Sequence, residues 1–192
     1  MNRFGTTFRF LIWILFLLGG AVAGIYGDLT YCPFLFKNTL FHAVSFVIGW
    51  LLLRLVMRAS RNTGRFLARH GKEGTIPKFE TNRLVTHGYY GCMRHPMHFG
   101  LLFFPLAWAF LLGSCTFIAI IAPLEMVIMI LMVKFLEEKE ALQKFGKAYR
   151  EYKKQVPFFS LKRECLKTLF SKQGLDSKTF GIAEKASKGG KS

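Results

Sequence analysis

The chain has 192 residues, of which 52% are hydrophobic and 16% aromatic, and its formal net charge is +16. This length is too short for two full-size domains. In a soluble protein such a charge would favour nucleic-acid binding, but here long uncharged segments separate the basic ones, and that pattern is not the pattern of a soluble domain.

Four segments are predicted to cross a membrane. The stretch between Arg9 and Asp28 carries no charge and is about long enough for a hydrocarbon core of roughly 30 Å. The stretch between His98 and Lys134 carries only Glu125, and at about 1.5 Å per residue it is too long for one crossing, so a hairpin is expected. The predicted spans are Phe8–Tyr26, Thr39–Met57, Pro96–Gly113 and Thr116–Leu136, with a turn at Gly113-Ser114-Cys115.

The first span has a second interpretation. Arg3, Arg9 and the small residues Ala21-Val22-Ala23 also fit a cleaved signal peptide. We favour an uncleaved anchor because three more predicted spans follow it.

The segment after Leu136 is predicted to form an amphipathic helix. Its apolar residues recur at steps of three and four on an otherwise charged helix, and they are Leu142, Phe145, Tyr149, Tyr152 and Val156. Gly146 is expected to weaken this helix by about 1 kcal/mol relative to alanine, and Pro157 to end it. The predicted fold is therefore all-α: an integral membrane bundle of about four transmembrane helices, the last two a tight hairpin, plus a cytoplasmic amphipathic helix.

The basic residues predict the orientation of the chain. The segment from Arg58 to His98 has eight Lys or Arg against two Glu, and the part after Leu136 has fourteen basic against seven acidic residues. The connection Thr30–Lys37 and the Gly113 turn carry almost no positive charge. Both termini and the middle loop are therefore expected in the cytoplasm, at a bacterial inner membrane or the endoplasmic reticulum. The expected partners are membrane lipids and not nucleic acid.

The four cysteines show no metal-binding spacing. Cys92 and Cys165 fall on the predicted cytoplasmic side, where thiols are expected to stay reduced. Cys32 and Cys115 fall on the opposite side. A disulfide between these two requires an oxidising compartment and close backbones.

A group of polar side chains lies at or inside the predicted membrane: Arg94, His95, His98, Glu125, Lys134, Glu137 and Glu138. Such groups need partners when buried. Pro96 suits the first position of a helix, so Arg94 and His95 come just before the third span. Because the third and fourth spans form a hairpin, Glu137 and Glu138 are expected beside them. This convergence predicts a site for a charged, polar cofactor. The alternative is a set of interfacial anchors and salt bridges.

Two further features of this group concern metal and the membrane interior. His95 and His98 form an HxxH pair, but no cysteine or carboxylate follows at ligand spacing, so no metal is predicted. Glu125 lies roughly 15 Å into the bilayer at 1.5 Å per residue. Its carboxyl group is either functional or hydrogen-bonded to a neighbouring span.

The blocks LVTHGYYGCMRHPMHFG and EEKEALQKFGKAYREYKKQVP resemble the isoprenylcysteine carboxyl methyltransferase superfamily of membrane methyltransferases. Both blocks keep the family's order and spacing over about Leu84 to Pro157. The resemblance implies S-adenosylmethionine as the cofactor, bound at the cytoplasmic side. We accordingly divide the chain into two N-terminal transmembrane helices (1–57), a methyltransferase core (58–160) and a basic flexible tail (161–192).

The resemblance also implies roles for individual residues. Carried over by position, the cofactor-binding residues are Leu84, Val85, Tyr90, His95, Pro96, Met97, Glu137 and Glu138. Arg94 would order the loop or pair with the carboxylates, and the candidate catalytic residues are Arg94, Lys134 and Glu125. A sulfonium already has a good leaving group, so the enzyme's task is in-line alignment of the nucleophile with the methyl carbon.

The sequence departs from the family pattern at two places. The family's carboxyl methyltransferases hold the substrate carboxylate with an arginine where this chain has Val133. Lys134 beside it lies about 100° round the helix and is a point charge. Asn82-Arg83 replaces the family's histidine before Leu-Val. The acceptor is therefore left open between an isoprenylcysteine-type and another lipid-like molecule.

Two other functions are kept as alternatives. The C-terminal part of sterol reductases carries a similar Arg-His and Lys-Phe-Gly…Tyr…Val-Pro ending and binds a nicotinamide cofactor, which predicts an enzyme using NADPH. Sterol reductases are generally longer and have Arg-Asp-Glu where this chain has Glu-Glu. The second alternative is a non-enzymatic membrane scaffold or lipid carrier that retains the pocket.

Overall fold

The computed structural model describes residues 3–75 and 81–171, and these residues form helices and turns without a strand. The predicted all-α fold is confirmed. The α-helices are α1 (Arg3–Tyr31), α2 (Pro33–Phe36), α3 (Thr39–His70), α4 (Tyr89–Cys92), α5 (Pro96–Leu101), α6 (Phe104–Leu112), α7 (Ala122–Met132), α8 (Glu138–Gln155) and α9 (Arg163–Phe170). Two π-helical segments, Phe117–Ile121 and Val133–Glu137, flank α7.

Within the described residues, three helices are long and apolar enough to cross a membrane: Leu11–Tyr31, Thr39–His70 and Phe117–Gln155. The predicted third span is not one continuous helix, since it is divided into α5 and α6. Pro105 lies in the first turn of α6, and because proline has no N–H it cannot donate to the carbonyl of Leu101. The missing hydrogen bond accounts for the break.

The chain divides into two compact units, of which the first consists of Met1–Val56 and Leu102–Met132. In this unit, α1 approaches the second half of the hairpin closely at glycines. A Cβ at Gly24 would lie 2.8 Å from Ser114 Oγ. The buried Asp28 accepts a 2.7 Å hydrogen bond from the N–H of Thr116 through Oδ1. The predicted turn is confirmed, because Gly113 ends α6 with a φ of 64°.

The two cysteines of this first unit are free thiols. The sulfur atoms of Cys32 and Cys115 lie 2.8 Å apart. The disulfide that their predicted location would allow is therefore not formed, although the two groups are in contact.

The second unit consists of Met57–Leu101 and Val133–Ser192. Its core contains a cluster of Phe66, Val85, Tyr89 and Tyr90. Gly88, with a φ of 60°, starts α4 against this cluster, and a Cβ there would lie 2.5 Å from Phe66 Cζ. A second cluster joins Tyr149, Tyr152 and Val156 of the C-terminal part to Leu84. The predicted apolar stripe of α8 therefore forms part of the core of this unit.

The expectation of reduced thiols at Cys92 and Cys165 was wrong. These two residues form a disulfide with their Cα atoms 5.5 Å apart, and it joins α4 to α9. The prediction relied on the compartment alone, which says nothing about which cysteines meet. The flexible tail expected from Leu161 onward is also corrected in part, because Arg163–Phe170 is helical with Cys165 and Leu169 buried. Residues 172–192 of that tail lie outside the described residues.

Candidate functional site

The candidate site lies in the second unit, where the segment before α5 meets α8. Met93 has an extended conformation that ends α4, and α5 begins at Pro96 as expected. The two residues between them, Arg94 and His95, are held against α8 and the segment that follows it. The local sequence thus places a basic pair at the start of an apolar helix.

Arg94 is the most connected side chain of the site. Its backbone N–H donates to the carbonyl of Pro157 at 3.0 Å, and its Nη1 donates to the carbonyls of Lys153 and Val156 at 3.0 and 3.3 Å. Its Nη2 lies 2.7 Å from Glu138 Oε1. Arg94 therefore fixes the end of α8 and the carboxylate at its beginning at the same time.

Glu138 is a buried carboxylate surrounded by basic groups. Its side chain is 6% exposed; besides Arg94, its Oε2 lies 2.6 Å from Lys153 Nζ and its Oε1 3.5 Å from His95 Nε2. The predicted proximity of Arg94 and His95 to the Glu pair is confirmed by these distances. The contribution of Lys153 was not predicted, because it depends on how α8 is oriented along its length.

Glu137 faces the second histidine. Its Oε1 lies 3.0 Å from His98 Nε2, and ligand atoms of His95, His98 and Glu137 all lie within 4.8 Å of one another. The sequence showed no carboxylate at ligand spacing from the HxxH pair, and the structure brings one close because Glu137 comes from another helix. Arg94 and Lys153 both pair with the adjacent Glu138 and bring two positive charges close to this group. Repulsion between these charges and a divalent cation disfavours metal binding here.

His95 is neutral at physiological pH. Burial, followed by the neighbouring His98, lowers the pKa of its imidazole to about 4 from an ordinary value of 6.5, although Glu137 and Glu138 raise it. The ring also packs on Phe158, with ring centroids 4.9 Å apart. A base is most effective when its pKa lies near the working pH, so His95 is suited to binding and not to proton abstraction.

This burial predicts a pH dependence of stability. Below about pH 6.5 the unfolded chain takes up a proton at His95 that the folded chain does not accept until about pH 4, so the unfolded state is favoured progressively as the pH falls. We expect the melting temperature in detergent to fall as the pH is lowered from 7 to 5. The variant His95→Gln should show a smaller fall over the same pH range. An unchanged slope in the variant would contradict this assignment.

A cavity of about 110 Å³ adjoins these groups. Its walls include four of the predicted cofactor-binding residues, namely Leu84, Val85, Tyr90 and His95, together with Arg94. Tyr152 also lines it and donates a 2.6 Å hydrogen bond to the carbonyl of Tyr90. The other four predicted cofactor-binding residues do not line the cavity: Pro96, Met97, Glu137 and Glu138. Glu138 is connected to it indirectly, because it pairs with Arg94, which does line it.

Several lining residues were missed as site residues. They are Leu67, Thr81, Arg83, Ala141, Phe145, Tyr149 and Tyr152. Three of them belong to the apolar stripe of α8, which the sequence identified as a packing face. α8 bends at Gly146, where φ is 54°, between two of these aromatic residues. The glycine within this aromatic stripe was the one sequence signal that could have indicated that the stripe lines a cavity as well as packing in the core.

The other candidate catalytic residues are not gathered at this cavity. Lys134 is exposed, with its Nζ 5.9 Å from the ring centroid of Phe135, and Val133 is buried. Glu125 belongs to the first unit. It is 3% exposed, and its Oε2 has no hydrogen-bond partner among the described residues.

Comparison with known proteins gives the following similarities. Residues 38–148 match the family model described as phospholipid methyltransferase. The chain is also 32% identical over 84 residues to the Delta(14)-sterol reductase TM7SF2 of Mus musculus, an alignment that covers 44% of this chain and 20% of the relative. The chain therefore spans about a fifth of that relative's length. No solved structure matches.

Proposed function

Because the chain belongs to the phospholipid methyltransferase family, we propose that it transfers a methyl group from S-adenosylmethionine to a lipid-like acceptor in the membrane. The resemblance to the isoprenylcysteine carboxyl methyltransferase superfamily agrees with this family, which is part of it. The observation that carries the proposal is the buried Arg94–Glu138 pair beside an aromatic cavity, formed by the two sequence blocks that resemble the superfamily.

The side chains that line the cavity suit this cofactor chemically, and since cofactor sites usually measure about 300–1,000 Å³, the cavity of about 110 Å³ must widen to hold the whole molecule. The methionine portion carries a carboxylate, and Arg94 lines the cavity with a buried Nε that has no hydrogen-bond partner among the described residues. The aromatic rings of Tyr90, Phe145 and Tyr149 also line the cavity. Aromatic faces attract cations, which suits a sulfonium, and they offer stacking surface to an adenine ring. Leu84 and Val85 complete an apolar wall.

The bound cofactor supplies an electrophilic methyl group, and the chain supplies position. The hydrogen bonds of Arg94 to Val156 and Lys153 hold the loop before α5 against α8, which fixes the cavity walls relative to one another. Alignment of reactants in a fixed geometry is a large part of catalysis in such transfers. His95, with its low pKa, contributes as a neutral binding group.

The acceptor class is proposed from the apolar surroundings. The position at which carboxyl methyltransferases use an arginine is the buried Val133, and Lys134 is exposed. Leu131, Phe135 and Leu136 are exposed apolar residues of the same region. We therefore propose an amphipathic or isoprenylcysteine-type acceptor that enters from lipid, with both termini and the basic middle loop in the cytoplasm.

The alternative function is an NADPH-dependent reductase. The observation that favours it is the 32% identity over 84 residues to the mouse sterol reductase. It ranks second because the family model describes methyltransferases and covers residues 38–148 of this chain.

One titration separates these functions. Detergent-purified protein is titrated with S-adenosylhomocysteine and, separately, with NADPH, and the heat of binding is measured. We expect saturable binding of S-adenosylhomocysteine alone. Saturable binding of NADPH would instead favour the reductase, and binding of neither compound would favour a scaffold.

A pair of variants tests the location of the site. His95→Ala is expected to weaken S-adenosylhomocysteine binding by about tenfold, the scale of one hydrogen bond lost from a neutral imidazole. The matched control is His42→Ala, since His42 belongs to the first unit, where it contacts the carbonyl of Phe36 at 2.8 Å. Equal effects of the two substitutions would show that the loss is one of general stability.

A further inference from the structure

The second half of α3 carries a row of exposed arginines: Arg58, Arg61, Arg65 and Arg69. At 100° per residue these four side chains fall within about 80° of one another, and at 1.5 Å per residue they extend over about 16 Å. They form a single positively charged face, here termed the arginine face.

The orientation of the arginine face is fixed by the residues opposite to it. Ala59, Thr63 and Phe66 are 1%, 0% and 0% exposed. Phe66 packs with Val85 and Tyr90 in the core of the second unit. Since this packing prevents α3 from rotating about its axis, the arginine face remains directed outward.

The charges of the arginine face are not neutralised by any side chain of residues 3–75 and 81–171. None of its four guanidinium groups forms an ion pair or side-chain hydrogen bond in the part of the chain that the structure describes. Arg94 behaves in the opposite way and pairs with Glu138 at 2.7 Å. A planar guanidinium binds phosphate through two parallel hydrogen bonds, so four exposed guanidinium groups in a row favour a surface that presents several phosphates side by side.

We propose that the arginine face binds the headgroups of anionic phospholipids. The reason for choosing lipid lies in the same helix, since α3 begins with a segment whose large apolar side chains are exposed, among them Leu40, Val44, Val47, Leu51 and Leu55. This segment has the length and hydropathy of a membrane span. The arginines follow directly, where a helix leaves the hydrocarbon and meets headgroup phosphates.

This binding is independent of the proposed methyl transfer. The arginine face does not include the residues that line the cavity. Leu67, on the same helix, does line it, so a headgroup on the arginine face would lie about one helix diameter, roughly 10 Å, from the cavity wall. Anionic lipid is therefore expected to stabilise the second unit without entering the site.

The experiment is native mass spectrometry of the full chain in detergent with added phosphatidylglycerol or phosphatidylcholine. Wild-type protein is expected to retain phosphatidylglycerol preferentially. Changing all four arginines to glutamine should weaken this binding by about tenfold or more, since each basic residue near an anionic surface contributes appreciably. The control changes four other exposed cations to glutamine, at Lys139, Lys147, Arg150 and Lys167. Its loss of binding free energy for phosphatidylglycerol should be less than about a third of the loss caused by the arginine variant.

Both quadruple variants are shown to be folded if their melting temperatures, measured in detergent with added phosphatidylcholine, equal that of the wild type. Equal weakening by the two variants would overturn the proposal, since binding would then follow net charge alone. Retention of phosphatidylglycerol by the arginine variant would also overturn it. A short single-stranded RNA is titrated in parallel, and tighter binding of RNA than of lipid would assign the arginine face to nucleic acid instead.

Discussion

Glu138→Ala is expected to destabilise the protein by about 3–5 kcal/mol and to abolish measurable binding of S-adenosylhomocysteine. The substitution leaves the guanidinium of Arg94, which is 9% exposed, without its carboxylate. Removing one partner of a buried ion pair is strongly destabilising because the other charge stays buried and uncompensated. The same guanidinium holds the carbonyls of Lys153 and Val156, so its displacement also loosens the cavity wall.

The matched control is Glu151→Ala. Glu151 pairs with Lys154 at 2.8 Å, but the two side chains are 61% and 72% exposed, and such surface pairs contribute about 0–1 kcal/mol. Both variants are compared with wild type by thermal unfolding in detergent and by titration with S-adenosylhomocysteine. If Glu138→Ala were no more damaging than Glu151→Ala, the buried pair would have no role in either stability or binding.

The second large effect is expected from Gly49→Ala in the first unit. A Cβ at Gly49 would lie 2.6 Å from the backbone N of Leu111, 2.9 Å from the backbone C of Phe110 and 3.0 Å from the carbonyl O of Ala107. All three are backbone atoms, so α3 and α6 must move apart to admit a methyl group. Overpacking of this kind costs about 1–3 kcal/mol or more, which exceeds the gain of about 1 kcal/mol in helix propensity.

Gly19→Ala is the control for helix propensity. Gly19 lies in α1, and a Cβ there would meet nothing within 4 Å. We expect this variant to be as stable as wild type or more stable, by up to about 1 kcal/mol, in the same thermal unfolding assay. A loss of stability at Gly19 comparable to that at Gly49 would show that the close approach of α3 and α6 is not the cause.

The architecture could be predicted from the sequence because uncharged lengths and turn residues are local signals. The segment between Arg9 and Asp28 and the turn at Gly113 both depend on adjacent residues only. The break between α5 and α6 was not predicted, although Pro105 was visible, because proline is tolerated inside membrane helices when neighbours satisfy the freed backbone groups.

Part of the candidate site could also be predicted, in this case from the topology of the hairpin and not from local signals. The proximity of Arg94 to Glu138 follows from a hairpin, which fixes which residues share one end of two helices. The contacts of Arg94 with Val156 and Pro157 depend on where the chain goes after α8, and the Cys92–Cys165 disulfide depends on how α9 packs. Neither path is encoded by periodicity or spacing, so these partners had to come from the structure.

The separation of Arg94 from its acceptors along the chain has a consequence for biosynthesis. Arg94 precedes Lys153, whose carbonyl it binds, by 59 residues. Ribosomes add roughly 5–20 residues per second, so the newly made guanidinium waits roughly 3–12 seconds for that acceptor to be synthesised. The helices α1 and α3 precede Arg94 and are made before this interval, whereas α5, α6 and α7 are made during it, so the pocket is completed only after these apolar helices have been synthesised. Translation of an mRNA truncated before the codon for Lys153 would yield a polypeptide with its apolar helices but an incomplete cavity. We expect membrane quality-control proteases to degrade such a polypeptide.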